Sequence, residues 1–204
     1  MPKLVNHEAR RNLIVETTWR IIARQGFQST TMREISTEMG LTHGALSHYF
    51  ASKDDLLLAS YVYVFDRTNK RIEARLGNRR GLEALQAMAE EMMPLGDEQR
   101  LEARVVLPFW ERCVTSERFA AVHGEGMEGL TSQFVRFLEE AVVSGEATQN
   151  LDVPKTARTL LGLISGMQVL AVLTSSDYPP RVLKQMLEDF LDDCVAHPRR
   201  EHSE

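Results

Sequence analysis

Apolar residues recur every three or four positions along most of the chain, and this spacing predicts amphipathic α-helices. Glycine, proline and short polar runs mark the ends of these segments. The predicted helices cover about residues 10–25, 31–39, 43–50, 52–76, 82–93, 97–114, 119–144, 154–174 and 179–195. No segment shows the strict apolar–polar alternation of a half-buried strand. The pattern therefore predicts an all-α protein.

Residues 31–50 carry the clearest helix-boundary signals in the chain. Thr31 and Glu34 have the spacing of a capping box, which begins a helix. Gly40 provides the backbone freedom that ends this helix, and Thr42 can cap a second one. Two short helices joined by a tight glycine turn predict a helix-turn-helix unit, whose second helix would enter the major groove of DNA. Ordinary pairs of surface helices carry the same signals, so the flanking sequence has to decide.

The flanking segments complete a three-helix unit around this pair. Upstream, residues 10–25 form an amphipathic helix that Gly26 ends, and downstream Ser52 and Asp55 have the spacing of another helix cap. The predicted inner face of the upstream helix consists of Leu13, Ile14, Thr17, Thr18, Ile21 and Ile22. A helix with such a face can pack under the pair, which favours the DNA-binding interpretation.

Residues 7–68 as a whole resemble the DNA-binding domain of the TetR family of transcriptional regulators. The matching residues are Gly26, Phe27, Thr31, Met32, Ile35, Gly40, Leu41, Thr42, Gly44, Leu46, His48, Tyr49, Phe50, Lys53 and Leu56. The chain departs from the family at Met39, where most members have alanine, and at Ser47, where most have a tyrosine that commonly contacts a phosphate. Residues 47–50 and the opening residues 1–4 are also similar to the choline-responsive betaine-synthesis repressors of this family.

The resemblance implies an N-terminal three-helix DNA-binding head, residues 7–68, and a C-terminal helical domain, residues 69–197, that binds an effector and dimerises. Base edges would be contacted by His43, Gly44, Ala45 and Ser47. Phosphates would be held by Thr31, Thr42, His48, Tyr49 and Lys53, and Arg33 joins the same DNA-binding set.

The net charge of −5 is unevenly distributed along the chain. Residues 1–50 carry six basic and four acidic side chains, whereas the remainder carries 18 basic and 25 acidic ones. The positive excess coincides with the helix-turn-helix, where electrostatic steering toward phosphates requires it.

Cysteine usage and hydropathy favour a cytoplasmic protein. Cys113 and Cys194 lie far apart, no secretory leader precedes them, and a disulfide framework is therefore not expected. The longest apolar stretch, residues 160–173, is interrupted by glycine and polar residues and is shorter than the roughly 18–20 residues that span a bilayer. We expect a buried helix there, no membrane partner, and a frayed tail over residues 197–204.

The last two predicted helices have broad apolar faces that one protomer would struggle to cover. Packed against their copies by two-fold symmetry, they would form a four-helix interface, in which Gly162 and Gly166 allow close approach. The expected interface residues are Leu160, Leu163, Met167, Leu183, Met186 and Phe190. The alternative is that both faces serve the core of the protomer itself.

Candidates for an effector site lie on the middle helices, and helix 52–76 would transmit the effect of binding to the head. The candidates are Met88, Met92, Phe109, Trp110, Met127 and Phe134. For a quaternary ammonium effector, which the narrower resemblance implies, Trp110 could face the cation and contribute roughly 0.5–2 kcal/mol.

Signatures of catalysis are missing from the sequence. The six histidines show no paired metal-ligand spacing, and no phosphate loop or nucleophile elbow is present, so we expect no enzymatic activity, cofactor or metal. The expected function is a homodimeric repressor that binds a near-palindromic operator in double-stranded DNA and is released by a small-molecule effector. The alternatives are a ligand-responsive activator of the same family and a helical interaction module without specific DNA binding.

Overall fold

The computed structural model describes residues 2–194, with side chains from His7 onward. The predicted tail over residues 197–204 and the predicted helix end at Val195 lie outside the described residues. Within the described range the chain forms nine α-helices, which confirms the all-α prediction. The helices are α1 Pro2–Gln25, α2 Met32–Glu38, α3 His43–Tyr49, α4 Lys53–Leu76, α5 Gly81–Met92, α6 Asp97–Cys113, α7 Glu117–Ser144, α8 Val153–Leu173 and α9 Pro180–Asp192.

Most helix ends agree with the sequence signals to within a few residues. The exception is α1, which begins at Pro2 rather than near Arg10. Proline favours the first position of a helix because its missing N–H would lack an intrahelical partner there in any case. The start of α1 therefore had a local signal that the apolar spacing did not reveal.

The chain divides into two compact units. The first unit comprises the residues up to Lys70 together with Gly96–His123. Its larger core joins α1, α4, α6 and the start of α7, with the Tyr61 and Phe109 rings stacked face to face at a centroid distance of 3.5 Å. The other core residues of this cluster are Trp19, Ile22, Ala23, Phe27, Leu57, Val64, Val105 and Phe119.

A second core in the same unit lies under the helix-turn-helix. Its buried residues are Ile14, Val15, Ile21, Ile35, Leu46, Phe50 and Leu56. Helix α1 contributes to both cores, so more than one side of it is buried. Leu13, predicted to face inward, is 44% exposed, whereas Trp19 is buried.

The second unit comprises Arg71–Leu95 and the residues from Gly124 onward. Two carboxylates from one segment cap the first turn of α5: the Gly81 N–H donates to Glu140 Oε2 at 3.2 Å, and the Leu82 N–H donates to Glu146 Oε2 at 3.1 Å. These bonds satisfy backbone donors that have no partner within the helix. The buried apolar faces of α5, α7, α8 and α9 include Leu85, Met88, Phe134, Leu138, Leu160, Ile164, Met167, Leu183 and Leu187.

Helix α8 was expected to be a buried helix, but only one of its faces is buried. With 21 residues it is, among the described helices, the one long and apolar enough to cross a membrane by length and composition alone. A single such helix is weak evidence for a membrane span, because core helices of soluble proteins pass the same test.

The two compact units do not coincide with the predicted head and body. The predicted boundary after Thr68 falls close to Lys70, where the first segment of unit 1 ends. Residues 96–123, however, cluster with α1 and α4 rather than with the remaining helices of the predicted body. The physical reason is the apolar core that Tyr61 and Phe109 share, a contact that sequence spacing does not reveal.

Candidate DNA-binding and effector sites

The first helix of the helix-turn-helix begins at a threonine cap. The Glu34 N–H donates to Thr31 Oγ1 at 3.1 Å, which confirms the predicted start of α2. The Glu34 carboxylate does not complete the capping box as predicted, because it accepts a hydrogen bond from Gln25 Nε2 at 2.8 Å. This bond ties α2 to the end of α1.

The turn between α2 and α3 is closed by glycine. Gly40 has a φ of 61°, in the left-handed region that glycine adopts at little cost. The Gly40 N–H donates to the Thr37 carbonyl at 3.0 Å, and the Leu41 N–H donates to the Ser36 carbonyl at 2.8 Å. This pair of bonds is the Schellman arrangement, and it directs the chain into the second helix.

Helix α3 has one buried side and one exposed side. Leu46 is fully buried in the core under the helix-turn-helix. The exposed residues are His43, Gly44, Ser47 and His48, and Ala45 is half-buried. The residues predicted to read bases therefore lie where a DNA groove could reach them.

Gly44 has no conformational or packing role that requires glycine. Its φ is not positive, and a Cβ added to it would meet no atom of the described residues within 4 Å. A glycine in a helix is destabilising by about 0.5–1 kcal/mol relative to alanine. The absence of a side chain at this exposed position is therefore consistent with close approach of another molecule.

Two of the predicted phosphate ligands are the caps themselves. Thr31 and Thr42 each accept a backbone N–H, in the second case that of Ala45 at 3.1 Å. A hydroxyl that accepts such a bond still has its own proton to donate. Both side chains are exposed, as is that of Arg33, so all three are accessible to a phosphate.

Lys53 has protein partners that the sequence did not indicate. Its Nζ donates to the Gln28 carbonyl at 3.2 Å and lies 4.3 Å from the centroid of the Phe27 ring. Burial lowers the pKa of Lys53, an effect that nearby Asp54 opposes. The Lys53 ammonium thus stabilises the turn between α1 and α2, independently of any contact with DNA.

Two ion pairs hold the first turn of α4, and neither was predicted. Arg112 Nη2 lies 2.8 Å from Asp54 Oδ1, and Arg118 Nη1 lies 2.6 Å from Asp55 Oδ1. Asp55 also bonds reciprocally with Ser52, as its spacing predicted. The hydrogen bonds from Arg118 and Ser52 lower the pKa of Asp55.

Of the predicted effector residues, Phe109 and Trp110 lie in the first unit. Phe109 is fully buried in the Tyr61 stack and is a core residue. Trp110 is half-buried, and its ring meets that of His123 edge to face at a centroid distance of 6.1 Å. Trp110 Nε1 and His123 Nδ1 are both buried and have no hydrogen-bond partner among the described residues.

Sequence reasoning missed His123. Burial lowers its pKa, so its neutral form is favoured, and one ring nitrogen can then accept a hydrogen bond while the other donates. The sequence indicated its location only through spacing: His123 follows Phe119 by one helical turn, so the two lie on the same side of α7. Phe119 is buried.

The other four predicted effector residues lie in the second unit. Met88 and Phe134 are fully buried, whereas Met92 and Met127 are half-buried. The Met92 carbonyl accepts a hydrogen bond from Gln168 Nε2 at 2.8 Å. The six candidates therefore divide between the two units rather than falling into one of them. Residues 2–194 contain no group of three or more acidic, histidine or cysteine side chains arranged to hold a metal ion.

The predicted dimer residues also divide into two sets. Leu160, Met167 and Leu183 are fully buried in the protomer, and such residues have no surface to offer a partner. The other three, Leu163, Met186 and Phe190, are partly exposed. Gly162 and Gly166 are also exposed, and a Cβ added at either would meet no atom within 4 Å among residues 7–194.

The capped helix-turn-helix, its exposed recognition face and the second helical unit define the class of protein, a DNA-binding transcriptional regulator. Two family models match the chain: bacterial regulatory proteins of the tetR family at residues 14–60, and the BetI-type transcriptional repressor C-terminal domain at residues 81–196. The chain belongs to the TetR family and carries a BetI-type C-terminal domain, as the sequence resemblance indicated. It is a ligand-responsive regulator of this repressor family.

Relatives and solved structures agree with this assignment. The chain is 29% identical to the transcriptional regulator PksA of Bacillus subtilis, over 99% of this chain and 100% of that protein. It is 26% identical to the regulator BetI of Burkholderia ambifaria, over 96% and 99% of the two chains. These relatives are transcriptional regulators rather than enzymes.

Two solved structures share the fold. A putative transcriptional regulator from Saccharomonospora viridis, solved in complex with choline, has a TM-score of 0.87 and 22% identity over 93% of this chain and 100% of its own. A TetR regulator from Haloarcula marismortui has a TM-score of 0.83 and 20% identity over 93% and 100%.

Proposed function

We propose that this protein is a cytoplasmic homodimeric repressor that binds a near-palindromic operator and is released by a small effector. Residues 7–68 serve as the DNA-binding head, and residues 69–197 bind the effector and dimerise. The observation that carries the proposal is the exposed face of α3, where Gly44 leaves the helix bare although the fold does not require glycine there.

His43, Gly44, Ala45 and Ser47 address base edges in the major groove. Thr31, Arg33, Thr42, His48, Tyr49 and Lys53 hold phosphates and set the register without reading sequence. The exposure of both threonine caps and of Arg33 supports this division. Lys53 contributes less than a free lysine would, because Gln28 and Phe27 already engage its ammonium.

The dimer interface is carried by the exposed sides of α8 and α9. Leu163, Met186 and Phe190 provide its apolar surface, and Gly162 and Gly166 permit close approach between helices. The buried Leu160, Met167 and Leu183 support these faces from within the protomer.

The effector is a quaternary ammonium compound that binds near Trp110. The indole face can attract a cation with roughly 0.5–2 kcal/mol. The structural neighbour solved with choline supports this ligand class. Trp110 Nε1 and His123 Nδ1 have no hydrogen-bond partner within the described part of the chain, which favours a ligand that also carries a polar atom, because buried polar groups are normally hydrogen-bonded.

The test combines calorimetry with operator release. Choline, betaine and an uncharged isostere of choline are titrated into the wild type and into Trp110→Ala, and release of footprinted promoter DNA is followed. We expect choline or betaine to bind, the isostere to bind more weakly, and Trp110→Ala to weaken the charged ligands. Equal binding of charged and uncharged compounds would reject the cation, and unchanged binding by Trp110→Ala would reject the location.

Two rival functions are separated by cheap measurements. A ligand-responsive activator would raise rather than lower expression of a promoter reporter. A helical interaction module would show no salt-dependent preference for a symmetric promoter site over random DNA.

A further inference from the structure

His7 lies outside the residues 14–60 that match the tetR family model, yet it contacts the end of the recognition helix. Its imidazole stacks on the Tyr49 ring, with a centroid distance of 4.6 Å and an interplanar angle of 29°. The His48 ring stands edge-on to both, 6.1 Å from His7 and 5.9 Å from Tyr49. We call these three residues the ring cluster; His7 and His48 are exposed, and Tyr49 is half-buried.

The ring cluster brings two titratable side chains to the DNA-facing helix. Histidine changes charge between about pH 5 and 8, and the protonated imidazole donates from both nitrogens. His48 lies in the last turn of α3. A charge on either ring therefore places a hydrogen-bond donor and a positive charge beside a predicted phosphate contact.

The two imidazoles are spaced to contact one anion. Their ring centroids lie 6.1 Å apart, so a single phosphate between them can accept a hydrogen bond from each. Helix α3 contains no acidic side chain that could take the place of that phosphate. The charged side chains in the turn of α1 that follows His7 are Glu8, Arg10 and Arg11, and the Arg11 guanidinium lies 4.7 Å from the centroid of the Phe50 ring. Asp55 and Arg118 line the same surface cavity as Tyr49 and Arg11.

We propose that His7 and His48 together bind one backbone phosphate of DNA, with Tyr49 holding the two imidazoles at the required spacing. When the phosphate binds, an imidazole takes up a proton from solvent and supplies the positive charge that pairs with it. Protonation thus favours the bound state, and DNA affinity rises as the pH falls. The inference rests on the proposed DNA-binding role of the helix-turn-helix.

The experiment measures affinity for a random-sequence duplex, because a phosphate contact needs no operator. Wild type, His7→Phe and His7→Ala are compared between about pH 5.5 and 8, with a salt titration at each pH. Phenylalanine preserves a flat ring on Tyr49 but carries no proton, whereas alanine removes both. Glu8→Gln is the matched control, since it changes the charge at the adjacent position without altering an imidazole.

For the wild type, DNA affinity should fall as the pH rises, by up to about tenfold per pH unit for each proton that is taken up on binding. His7→Phe should flatten this dependence, and at the acid end of the range it should lower the salt slope by about 0.9 for each phosphate that the protein no longer neutralises. His7→Ala should do the same, with a further loss of affinity because Tyr49 is no longer supported. Glu8→Gln should shift affinity equally at every pH.

Two results would overturn the proposal. In the first, His7→Phe keeps the wild-type pH dependence and salt slope. In the second, His7→Ala is impaired while His7→Phe matches wild type, which would leave His7 only a role in positioning Tyr49. A folded wild type that binds no duplex at any salt concentration would instead reject the proposed DNA-binding head.

Discussion

Replacing Gly44 separates a stabilising effect on the helix from a damaging effect on DNA binding. Because its φ is not positive and a Cβ would meet no atom within 4 Å, Gly44→Ala should fit without strain. Alanine in place of helical glycine stabilises by up to about 1 kcal/mol, and the gain should be smaller at the second position of a short helix. The free energy of unfolding should therefore rise slightly.

Gly44→Leu should leave the fold intact but remove operator recognition. A branched side chain on the exposed first turn of α3 would hold the backbone away from the floor of the groove. One good interaction with a base edge is worth about 1–3 kcal/mol per head. In a dimer, the loss of about 2–6 kcal/mol corresponds to roughly a 30-fold to 2 × 10⁴-fold reduction in operator affinity.

The assay compares operator affinity by gel shift with urea unfolding monitored by circular dichroism. The matched control is Gly129 on α7, which is also exposed and where a Cβ would also meet no atom within 4 Å. Because Gly129 lies in the interior of a long helix, Gly129→Ala and Gly129→Leu should raise stability at least as much as the Gly44 variants and leave operator affinity unchanged. A folded Gly44→Leu protein with operator affinity within about twofold of wild type would refute the assignment of α3 as the recognition helix.

Two further predictions concern assembly and electrostatics. Substituting glutamate for both Leu163 and Phe190 should yield monomers in sedimentation, because unpaired carboxylates would be buried at the interface. A double mutant that stays dimeric would place the interface elsewhere. Arg118→Ala should cost about 0.2–1 kcal/mol near neutral pH, the range for a solvent-exposed ion pair. Because the pKa of Asp55 is lowered by folding, the stability from this pair is present above the unfolded pKa of aspartate and is lost as the pH falls through the folded value. Urea unfolding at neutral and acid pH checks this, and an equal loss of stability at both would contradict it.

The helix ends around the recognition helix could be predicted because their signals are local. Thr31 and Thr42 each accept a hydrogen bond from the backbone N–H three residues later. At the turn, the Gly40 N–H donates to the carbonyl three residues earlier, and the next N–H donates to the carbonyl five residues earlier. Contacts between different segments left no such signal. The Glu34 carboxylate bonds to Gln25 on the preceding helix, and spacing alone could not choose between that partner and Thr31.

Burial was less predictable than helix position, because it depends on which helices become neighbours. Leu183 and Phe190 look alike in the apolar pattern of α9, but the first is fully buried in the protomer and the second is partly exposed. Apolar periodicity identifies the apolar side of a helix. Only the packed structure shows whether a residue on that side lies in the core of the protomer or on its surface.

The ion pairs on α4 limit how an effector near Trp110 could act on the recognition helix. Arg112, two residues beyond Trp110, pairs with Asp54 in the first turn of α4. This pair is about 40% exposed on both sides, and partly exposed pairs contribute at most about 1 kcal/mol each. A useful switch needs a coupling free energy of about 1–3 kcal/mol between the effector and DNA. The pairs to Asp54 and Asp55 could supply the lower end of that range, so stronger coupling would also require the packed contact of Phe109 on Tyr61 to change.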